Sequence, residues 1–593
     1  MALDRSEESP GKAWVRALEM TAPVARNRAI TLPIVIENLS HVHGDRFAIL
    51  SRTESLTYRS LAERANQYSR WALAEGLSFG EVVGLMMPNC PEYLAIWLGV
   101  TRVGGIVALI NTNLAGDSLA HAINSVTPAH IIVGAHCADA LAGIANRIPP
   151  GIQNWLSGWG DQPFRRIDEK LASVATTAIE EPSRRMPTIY DPALYIYTSG
   201  TTGLPKAAKV SHFRLMQWSY WFAGMMNIGA GDRMYDSLPL YHSVGGVVAI
   251  GAMLVRGASV ALRDRFSASW FWRDIVDFDC TIFQYIGELC RYLVNSPPNE
   301  SEAAHHLRLA CGNGLDAAVW RRFQERFRIP HILEFYAATE STFSLYNCEG
   351  RVGALGRIPS FLKQKTSVSI VRYDAVSGEP VRGEDGACVR CSTDEVGEAI
   401  GRIESDGTGG FEGYADRAAT EKKILRNAFT AGDAWFRSGD LMRKDAQGFF
   451  YFVDRVGDTF RWKGENVSTA EVGAIISNAP GVLQAAVYGV AIPGIEGRAG
   501  MAAIVVSASF SLTTFREYVV EHLPHYAHPL FLRIVDRIEM TQTFKPSKQE
   551  LSRQGYNPGL VTDPVYFNDP VRQAFVELSA QTRDDIQSGK IRL

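Results

Sequence analysis

Short apolar runs alternate with amphipathic segments between residues 32 and 193. The apolar run 82–87 is typical of a strand buried on both faces of a sheet, and residues 129–133, apolar except for His130, also predict a strand. Helices are predicted over the amphipathic residues 56–74, 92–102 and 118–124. Strand–helix alternation of this kind predicts an α/β fold with largely parallel sheets flanked by helices.

One segment combines a strand with a loop suited to anions. Residues 195–197, Tyr-Ile-Tyr, predict a short buried strand, and Thr-Ser-Gly-Thr-Thr-Gly-Leu-Pro-Lys follows over 198–206. The hydroxyls can donate hydrogen bonds, the glycines let backbone N–H groups approach an anion, and the lysine adds positive charge. It is not a Walker A loop, because no Gly-Lys-Ser/Thr follows at the required spacing. We therefore prefer a polyphosphate loop to a solvated turn, and its residues are Thr198, Ser199, Gly200, Thr201, Thr202, Gly203 and Lys206.

A second candidate segment is Phe-Tyr-Ala-Ala-Thr-Glu over residues 335–340. Tyr336 can stack on a purine, and Ala337 and Ala338 permit close approach of the backbone. Thr339 can bond a phosphate oxygen, while Glu340 is a hard oxygen ligand suited to Mg²⁺. This combination favours a nucleotide site over a plain helix start.

Residues 198–206 resemble the phosphate-binding loop of the adenylate-forming superfamily, which contains acyl-CoA synthetases, luciferases and peptide-synthetase adenylation domains. The flanking residues 195–197 and 207–208, together with 283–290, resemble the branch of fatty acid transport proteins, also called very-long-chain acyl-CoA synthetases. The resemblance runs from about residue 32 to the end of the chain. It implies a β-subdomain after the sheets and a small mobile α+β C-terminal domain.

The resemblance also implies roles for residues whose chemistry alone is ambiguous. His242, after an aromatic residue, resembles the family motif at the carboxylate site. Residues 311–315 predict a glycine turn, in which Gly312 would pack against adenine. Asp440, predicted at a strand-to-turn junction, resembles the aspartate that accepts both ribose hydroxyls, and Arg455 would bind ribose or phosphate. The implied metal ligands are Glu340 and Thr198, and the remaining implied cofactor-binding residues are Asn313, Phe452 and Gly464.

The catalytic lysine implied by the resemblance is Lys545, which would reach the reacting carboxylate and the α-phosphate. Lys548 lies nearby, but Lys545 directly follows the Thr-Gln-Thr-Phe segment 541–544. Domains of 1–456 and 457–593 are expected, with a hinge at Val-Gly-Asp 456–458 that rotates the small domain between two half-reactions. Gly457 stands where the pivot is commonly Asp or Lys, so the hinge residue itself stays open. Gly464 would let the pantetheine of CoA pass.

Composition narrows the compartment and the partners. The 593 residues carry a net charge of −3, which gives no support for a nucleic-acid partner. Eight scattered cysteines indicate free thiols in a reducing compartment. Residues 1–33 lack the apolar stretch of a signal peptide, and the apolar runs 103–110 and 244–255 are too short to span a bilayer. We expect a cytoplasmic protein, with peripheral contact at the inner face of a membrane and the oligomeric state left open.

The expected reaction is ATP-dependent formation of acyl-CoA from a long- or very-long-chain fatty acid, through acyl-AMP, with ATP, Mg²⁺ and coenzyme A. A CoA ligase for another bulky acid, such as a bile acid, shares every motif. A luciferase-like or carrier-loading enzyme and a non-enzymatic lipid carrier are further alternatives. The aromatic segment 211–226 fits a core helix and a wall of an acyl tunnel equally well.

Overall fold

The computed structural model of the chain describes residues 9–179, 185–199, 204–363, 367–374, 377–404, 411–462, 465–493, 495, 497–539, 548–557 and 559–591. The chain divides into two compact units. The first unit comprises Met1–Lys365 and Arg402–Leu425, and the second comprises Thr366–Gly401 and Arg426–Leu593.

The first unit contains helices α1–α13 and strands β1–β15. The helices are α1 Pro10–Arg26, α2 Leu32–Val42, α3 Tyr58–Ala74, α4 Pro91–Arg102, α5 Gly116–Asn124, α6 Ala138–Ala142, α7 Ile167–Leu171, α8 His212–Met225, α9 Ile250–Leu254, α10 Ala268–Asp277, α11 Gly287–Asn295, α12 Ala317–Phe327 and α13 Arg417–Glu421. The strands are β1 Phe47–Leu50, β2 Ser55–Thr57, β3 Val82–Met86, β4 Ile106–Leu109, β5 His130–Gly134, β6 Gln153–Ser157, β7 Arg165–Arg166, β8 Pro192–Ser199, β9 Pro205–Ser211, β10 Arg233–Asp236, β11 Ser259–Leu262, β12 Ile282–Ile286, β13 Leu309–Asn313, β14 His331–Tyr336 and β15 Leu345–Asn347.

Two largely parallel sheets form the frame of this unit. The eight-stranded sheet has the order β15-β14-β13-β12-β10-β11-β1-β2, with antiparallel pairing only at its edge strands β15 and β2. The seven-stranded sheet has the order β7-β6-β5-β3-β4-β8-β9, and only β9 is antiparallel. This arrangement confirms the α/β architecture predicted from the alternating pattern.

Helices cover both faces of the eight-stranded sheet. On one face the ring of Phe222 in α8 meets Phe335 of β14 at 4.7 Å between centroids. On the other face Phe271 of α10 meets Phe283 of β12 at 4.6 Å. These four rings are almost completely buried, as the continuous apolar character of the strands requires.

Local sequence signals account for where the elements begin. The helix predicted from residue 56 begins at Tyr58, because residues 55–57 pair with β1 as β2. Thr57 and Ser60 then form a reciprocal capping box, in which each side chain bonds the other's backbone N–H. The apolar run 244–255 is buried, as expected of a core element, in a π-helical segment, Ser243–Ala249, that continues into α9. None of the described helices has the length and apolar character that a bilayer crossing requires, and all eight cysteines are free thiols.

The second unit contains strands β16–β29 and helices α14–α17. They are β16 Val368–Val371, β17 Tyr373–Asp374, β18 Glu379–Pro380, β19 Gly397–Arg402, β20 Ile424–Arg426, β21 Ala434–Lys444, β22 Phe450–Arg455, β23 Phe460–Trp462, β24 Glu465–Val467, β25 Val482–Val490, β26 Ala499–Val506, β27 Phe531–Ile534, β28 Val565–Asp569 and β29 Ala574–Glu577, with α14 Thr469–Ile476, α15 Leu512–His522, α16 Gln549–Gln554 and α17 Ala580–Gln587.

Two larger sheets organise this unit. One has the order β16-β19-β21-β20 with β22 paired to β21, and it corresponds to the expected β-subdomain. The other has the order β25-β26-β27-β28-β29 and, with its helices, forms an α+β layer around a core that includes Ile504, Phe515 and Phe531. The division into compact units groups the β-subdomain with the C-terminal residues. The boundary at 456/457, which concerns a hinge rather than compactness, stays a prediction.

Candidate functional site

The predicted phosphate loop joins two paired strands. Strands β8 and β9 form an antiparallel hairpin in which Thr198 opposes Lys206 and Ser199 opposes Pro205. The closing Pro-Lys of the motif therefore begins a second strand and is not the end of a loop. The hydroxyl of Thr198 is buried. Of the five residues between the strand ends, Gly200, Thr201, Thr202 and Gly203 lie outside the described residues.

Glu340 lies in the same unit and is held by a tyrosine that sequence reasoning missed. The Tyr414 hydroxyl donates to Glu340 Oε1 at 2.7 Å, and burial together with this carboxylate raises the pKa of Tyr414. Tyr414 forms a β-bridge with Ala208 of β9, and Lys206 Nζ lies 5.8 Å from its ring centroid. Tyr414 thus links the acidic residue to the phosphate hairpin, although 74 positions separate it from Glu340 in the chain.

The second oxygen of Glu340 is the most informative atom of the site. Only 9% of the residue is exposed, and Oε2 is buried without a hydrogen bond from any described residue. A buried carboxylate oxygen without a partner is costly, because desolvation is not compensated. The arrangement is therefore suited to a ligand that brings its own donor or positive charge.

Neighbouring residues of the 335–340 segment are also ordered by side-chain contacts. Tyr336 is the last residue of β14, and its ring stacks on Phe343 at 5.7 Å with an interplanar angle of 28°. Ala337 and Ala338 are half-buried in the loop that follows, and the Thr339 hydroxyl donates to Ser243 Oγ at 3.1 Å. The segment is a turn and not a helix start, in agreement with the sequence interpretation.

His242 follows a loop that Asn89 fixes to its surroundings. The Asn89 amide donates to the carbonyls of Leu238 and Arg263 at 2.8 and 2.9 Å, and its Oδ1 accepts from Leu240 N–H at 2.9 Å. This role of Asn89, which lies about 150 residues earlier, is not predictable from the sequence around His242. These bonds hold the backbone immediately before the histidine.

The imidazole of His242 is neutral at physiological pH. Burial lowers the pKa of His242 to about 4, and Nε2 has no hydrogen-bond partner within the described parts of the chain. The ring meets Tyr241 edge-on at 4.8 Å. A neutral ring with an unpaired nitrogen can donate to or accept from a substrate oxygen, depending on its tautomer.

Gly312 corrects one detail of the sequence interpretation. We expected a glycine turn at 311–315, but Cys311, Gly312 and Asn313 belong to strand β13, and the turn begins at Gly314. A Cβ at position 312 would lie 2.2 Å from the Tyr285 carbonyl oxygen of the adjacent strand. The protein itself therefore requires glycine here, whether or not a base lies nearby.

Asp440, Phe452 and Arg455 lie on two paired strands of the second unit. Asp440 is inside β21 and not at a strand-to-turn junction as expected, and it opposes Arg455 of β22. Arg455 Nε lies 3.7 Å from Asp440 Oδ1, with 47% and 14% of the two side chains exposed. Phe452 is 37% exposed on the same strand as Arg455. Gly457, two residues later, has a φ of +91°, which accounts for a glycine at the expected hinge.

Of the two candidate lysines, only Lys548 is within the described residues. Its Nζ donates to Thr469 Oγ1 at 2.5 Å and pairs with Asp458 Oδ2 at 3.5 Å. These contacts give Lys548 a structural role beside the expected hinge. Lys545 and Gly464 fall outside the described residues.

The sequence has clear relatives. Residues 36–414 match the family described as AMP-binding enzyme, and residues 471–545 match the AMP-binding enzyme C-terminal domain. Long-chain fatty acid transport protein 6 of Mus musculus is 39% identical over 554 residues, which are 92% of this chain and 88% of that protein. Long-chain fatty acid transport protein 1 of Mus musculus is 37% identical over 578 residues, which are 96% of this chain and 89% of that protein.

Solved structures share the fold at lower identity. The anthranilate CoA ligase AuaEII, in complex with anthranoyl-AMP, superposes with a TM-score of 0.75 at 20% identity. The match covers 88% of this chain and 96% of that one. At this identity the likeness establishes the fold alone.

Proposed function

The chain belongs to the AMP-binding enzyme family, and from this membership and the geometry of Glu340 we propose that it is an AMP-forming fatty acid–CoA ligase. A long- or very-long-chain fatty acid would react with ATP to give acyl-AMP and pyrophosphate, and the CoA thiol would then displace AMP. The observation that carries the proposal is the buried, unpaired Oε2 of Glu340, in a carboxylate that Tyr414 links to the phosphate hairpin.

The residues of the first unit divide the binding of ATP between them. The hairpin with Thr198, Ser199 and Lys206 binds the phosphates, together with the hydroxyls and backbone of 200–203. The adenine site consists of Gly312, Asn313, Tyr336, Ala337 and Ala338. Thr339 contributes a hydroxyl to a phosphate oxygen. His242 lies at the carboxylate of the fatty acid, which it can approach as a neutral imidazole.

In the second unit, Asp440 accepts from the ribose hydroxyls, with Arg455 and Phe452 beside it. Lys545 neutralises the charge that builds at the α-phosphate, and Gly464 lines the path of pantetheine. No side chain has to act as a covalent nucleophile. Catalysis then rests on positioning and on electrostatic stabilisation.

The donor set fits Mg²⁺. Within the described ranges, no group of three or more acidic, histidine or cysteine side chains could hold a metal by itself. Mg²⁺ in nucleotide sites commonly needs only one or two protein oxygens, because waters and phosphate oxygens complete its shell. Glu340 Oε2 and the Thr198 hydroxyl are the protein oxygens we propose for it. The ion would neutralise phosphate charge, while Tyr414 keeps the Glu340 carboxylate oriented.

The choice of a fatty acid over other carboxylic acids rests on the names of the relatives, both long-chain fatty acid transport proteins. The aromatic helix α8 contributes less to this choice than the sequence suggested. Phe222 is buried against Phe335 and Tyr346, and Trp221 packs edge-on against Trp14. Much of its aromatic surface is therefore core.

We place the protein in the cytoplasm, with peripheral attachment to the inner face of a membrane.

The test is fatty acid-dependent exchange of pyrophosphate into ATP, followed by AMP release with and without CoA. We expect exchange with fatty acids and sustained AMP release only when CoA is present. A panel of chain lengths and a bile acid would identify the acyl group. Sustained turnover without CoA would contradict the proposal in favour of a luciferase-like enzyme, and a failure to bind ATP would favour a lipid carrier.

A further inference from the structure

Two buried polar residues that the proposed function does not use, Tyr285 and Glu334, are joined across Gly312, on three adjacent strands of the first unit. Tyr285 of β12, Gly312 of β13 and Glu334 of β14 are Cα partners in the parallel register. Their side-chain positions therefore lie on the same face of the sheet. The Tyr285 hydroxyl donates to Glu334 Oε2 at 2.6 Å, so the tyrosine reaches across the whole width of the intervening strand.

Gly312 makes this crossing geometrically feasible. A Cβ at this position would lie 2.5 Å from Tyr285 Cδ2 and 2.6 Å from Cγ, inside the van der Waals radii of the ring. The ring thus occupies the space that a side chain at position 312 would need. The tyrosine, the glycine and the glutamate are consequently one structural unit, which we name the 285–312–334 bridge.

The bridge also fixes the loop that follows β13. Glu334 Oε1 accepts from the backbone N–H of Leu315 at 3.1 Å, so the two oxygens of one carboxyl serve the tyrosine and the loop. On the other side, the Gly314 carbonyl oxygen lies only 1.8 Å from where a Cβ of Gly287 would stand. The loop after Gly312 is therefore held between Glu334 and the first residue of α11.

Burying the polar groups of the bridge has a desolvation free energy that a purely apolar core would not have. Tyr285 is fully buried and Glu334 is 3% exposed. Burial raises the pKa of Glu334 to about 8 and also raises that of Tyr285. Buried polar groups are costly unless every partner is satisfied, and replacing them by apolar residues is often neutral or stabilising. A role in positioning the loop gives such a group a reason to be present.

We infer that Tyr285 and Glu334 are positioning residues for the purine of the bound nucleotide. They act through the backbone of residues 312–315 on one side of the base. Tyr336 follows Glu334 by two positions on β14 and therefore points to the same face, where its ring can take the other side of the base. The inference rests on the proposed function, because that proposal assigns Gly312, Asn313 and Tyr336 to adenine.

The test measures the dissociation constant of ATP with Mg²⁺ by calorimetry, without a fatty acid, so that no turnover is needed. Tyr285→Phe keeps the ring over Gly312 and removes only the donor. We expect it to weaken ATP binding roughly tenfold, because the Glu334 carboxyl loses a partner and releases the loop. Glu334→Ala should weaken binding at least as much. Glu334→Gln, which still offers an acceptor to Leu315 N–H, should stay within about threefold of the parent protein.

A matched control is available on the neighbouring strand. The Tyr235 hydroxyl of β10 donates to the buried carboxylate of Asp274 at 3.2 Å, and Tyr235 is fully buried in the same sheet. Tyr235→Phe should therefore destabilise the fold comparably while leaving ATP affinity unchanged within about twofold. Circular dichroism melting verifies that each variant is folded. In steady state, the KM for ATP should rise while the KM for the fatty acid stays the same.

Equal affinities for ATP in Tyr285→Phe and the parent protein would overturn the inference. Equal losses of ATP affinity in Tyr285→Phe and Tyr235→Phe would also overturn it, as would equal losses in Glu334→Gln and Glu334→Ala. The variants could show the expected pattern of ATP affinities while the parent protein catalyses pyrophosphate exchange with none of the acids tested. That result would support this inference and contradict the proposed fatty acid activation.

Discussion

The two carboxylates proposed for the nucleotide, Glu340 of the first unit and Asp440 of the second, have opposite surroundings. Glu340 is buried, receives one hydrogen bond from Tyr414, and keeps one oxygen without a partner among the described residues. Asp440 opposes the half-exposed Arg455 across a strand pair at 3.7 Å. Water can reach the Asp440 pair from the side of Arg455, 47% of which is exposed, whereas Oε2 of Glu340 is buried. Neutralising Glu340 should therefore reduce the chemical step strongly, whereas neutralising Asp440 should weaken binding modestly.

The largest expected effect lies at Lys545. This lysine belongs to the second unit, as Asp440 does, but its loss should affect the chemical step and not only binding. Lys545→Ala should lower the rate of adenylation by about 10³, because a positive charge aimed at the transition state is lost. Formation of acyl-CoA from supplied acyl-AMP should remain near the parent rate. Pyrophosphate exchange and the isolated thioester step measure the two half-reactions separately.

Lys548→Ala is the control for this prediction. Its ammonium group is already engaged by Thr469 and Asp458, so its removal should affect the stability of the second unit more than the chemistry. Equal loss of both half-reactions in Lys545→Ala would contradict the assignment. A selective loss of adenylation in Lys548→Ala would transfer the role to that residue.

Glu340→Gln tests the buried side of the comparison. The amide oxygen can still accept from Tyr414, so the change removes charge with little change of shape. We expect kcat for adenylation to fall by about 10² and the Mg²⁺ requirement to rise, since removing one electrostatic group of a catalytic site typically costs that much. Titration of the rate with Mg²⁺ measures both quantities.

Glu412→Gln is a suitable control in the same unit, because that carboxylate accepts from Ser211 N–H and Oγ–H at 2.7 and 2.6 Å and so holds the residue that caps α8. It should change stability and leave the Mg²⁺ dependence as it was. If Glu340→Gln retained the parent Mg²⁺ dependence, the metal assignment would be wrong.

Asp440→Asn tests the carboxylate that is paired with the half-exposed Arg455. The amide keeps one acceptor for the ribose, so we expect the KM for ATP to rise about tenfold with kcat nearly unchanged. The preference for ATP over 2′-deoxy-ATP should shrink by a similar factor, which steady-state kinetics with both nucleotides would measure. Asp394→Asn, which removes a surface ion pair with Arg443 in the same unit, should leave that preference intact. A parent-like preference in Asp440→Asn would exclude the ribose assignment.

The sequence predicts most of the frame and only part of each site. A continuous apolar run identifies a buried strand such as β3, because a parallel strand covered on both faces leaves no polar positions to confuse the pattern. The residues that contact the motif residues are not predicted in this way. Tyr414 and Asn89 act through contacts with residues about 74 and 150 positions away, and neither stands in a segment with a distinctive composition.

Local chemistry also misleads where two causes require the same residue. Glycine at 312 was interpreted as room for a base, but the ring and carbonyl of Tyr285 already exclude a side chain there. Asp440 was expected at a strand-to-turn junction, yet Gly439 adopts a φ of +74° inside a continuous strand. Such details depend on the register of neighbouring strands, which a single sequence does not encode in any short window.

The smallest expected effect concerns the hinge, and Gly457 and Gly448 provide a matched pair in the second unit. Both have positive φ, +91° and +87°, and both have open space where a Cβ would stand. Substitution by alanine should therefore lower the free energy of unfolding by about 1 kcal/mol at each position, because of backbone strain. Chemical denaturation measures this change. Only Gly457→Ala should slow the thioester step, by about threefold, because a hinge must pass through conformations that alanine disfavours. If both variants slowed that step equally, strain alone would explain the effect, and the pivot would have to be sought at Val456 or Asp458.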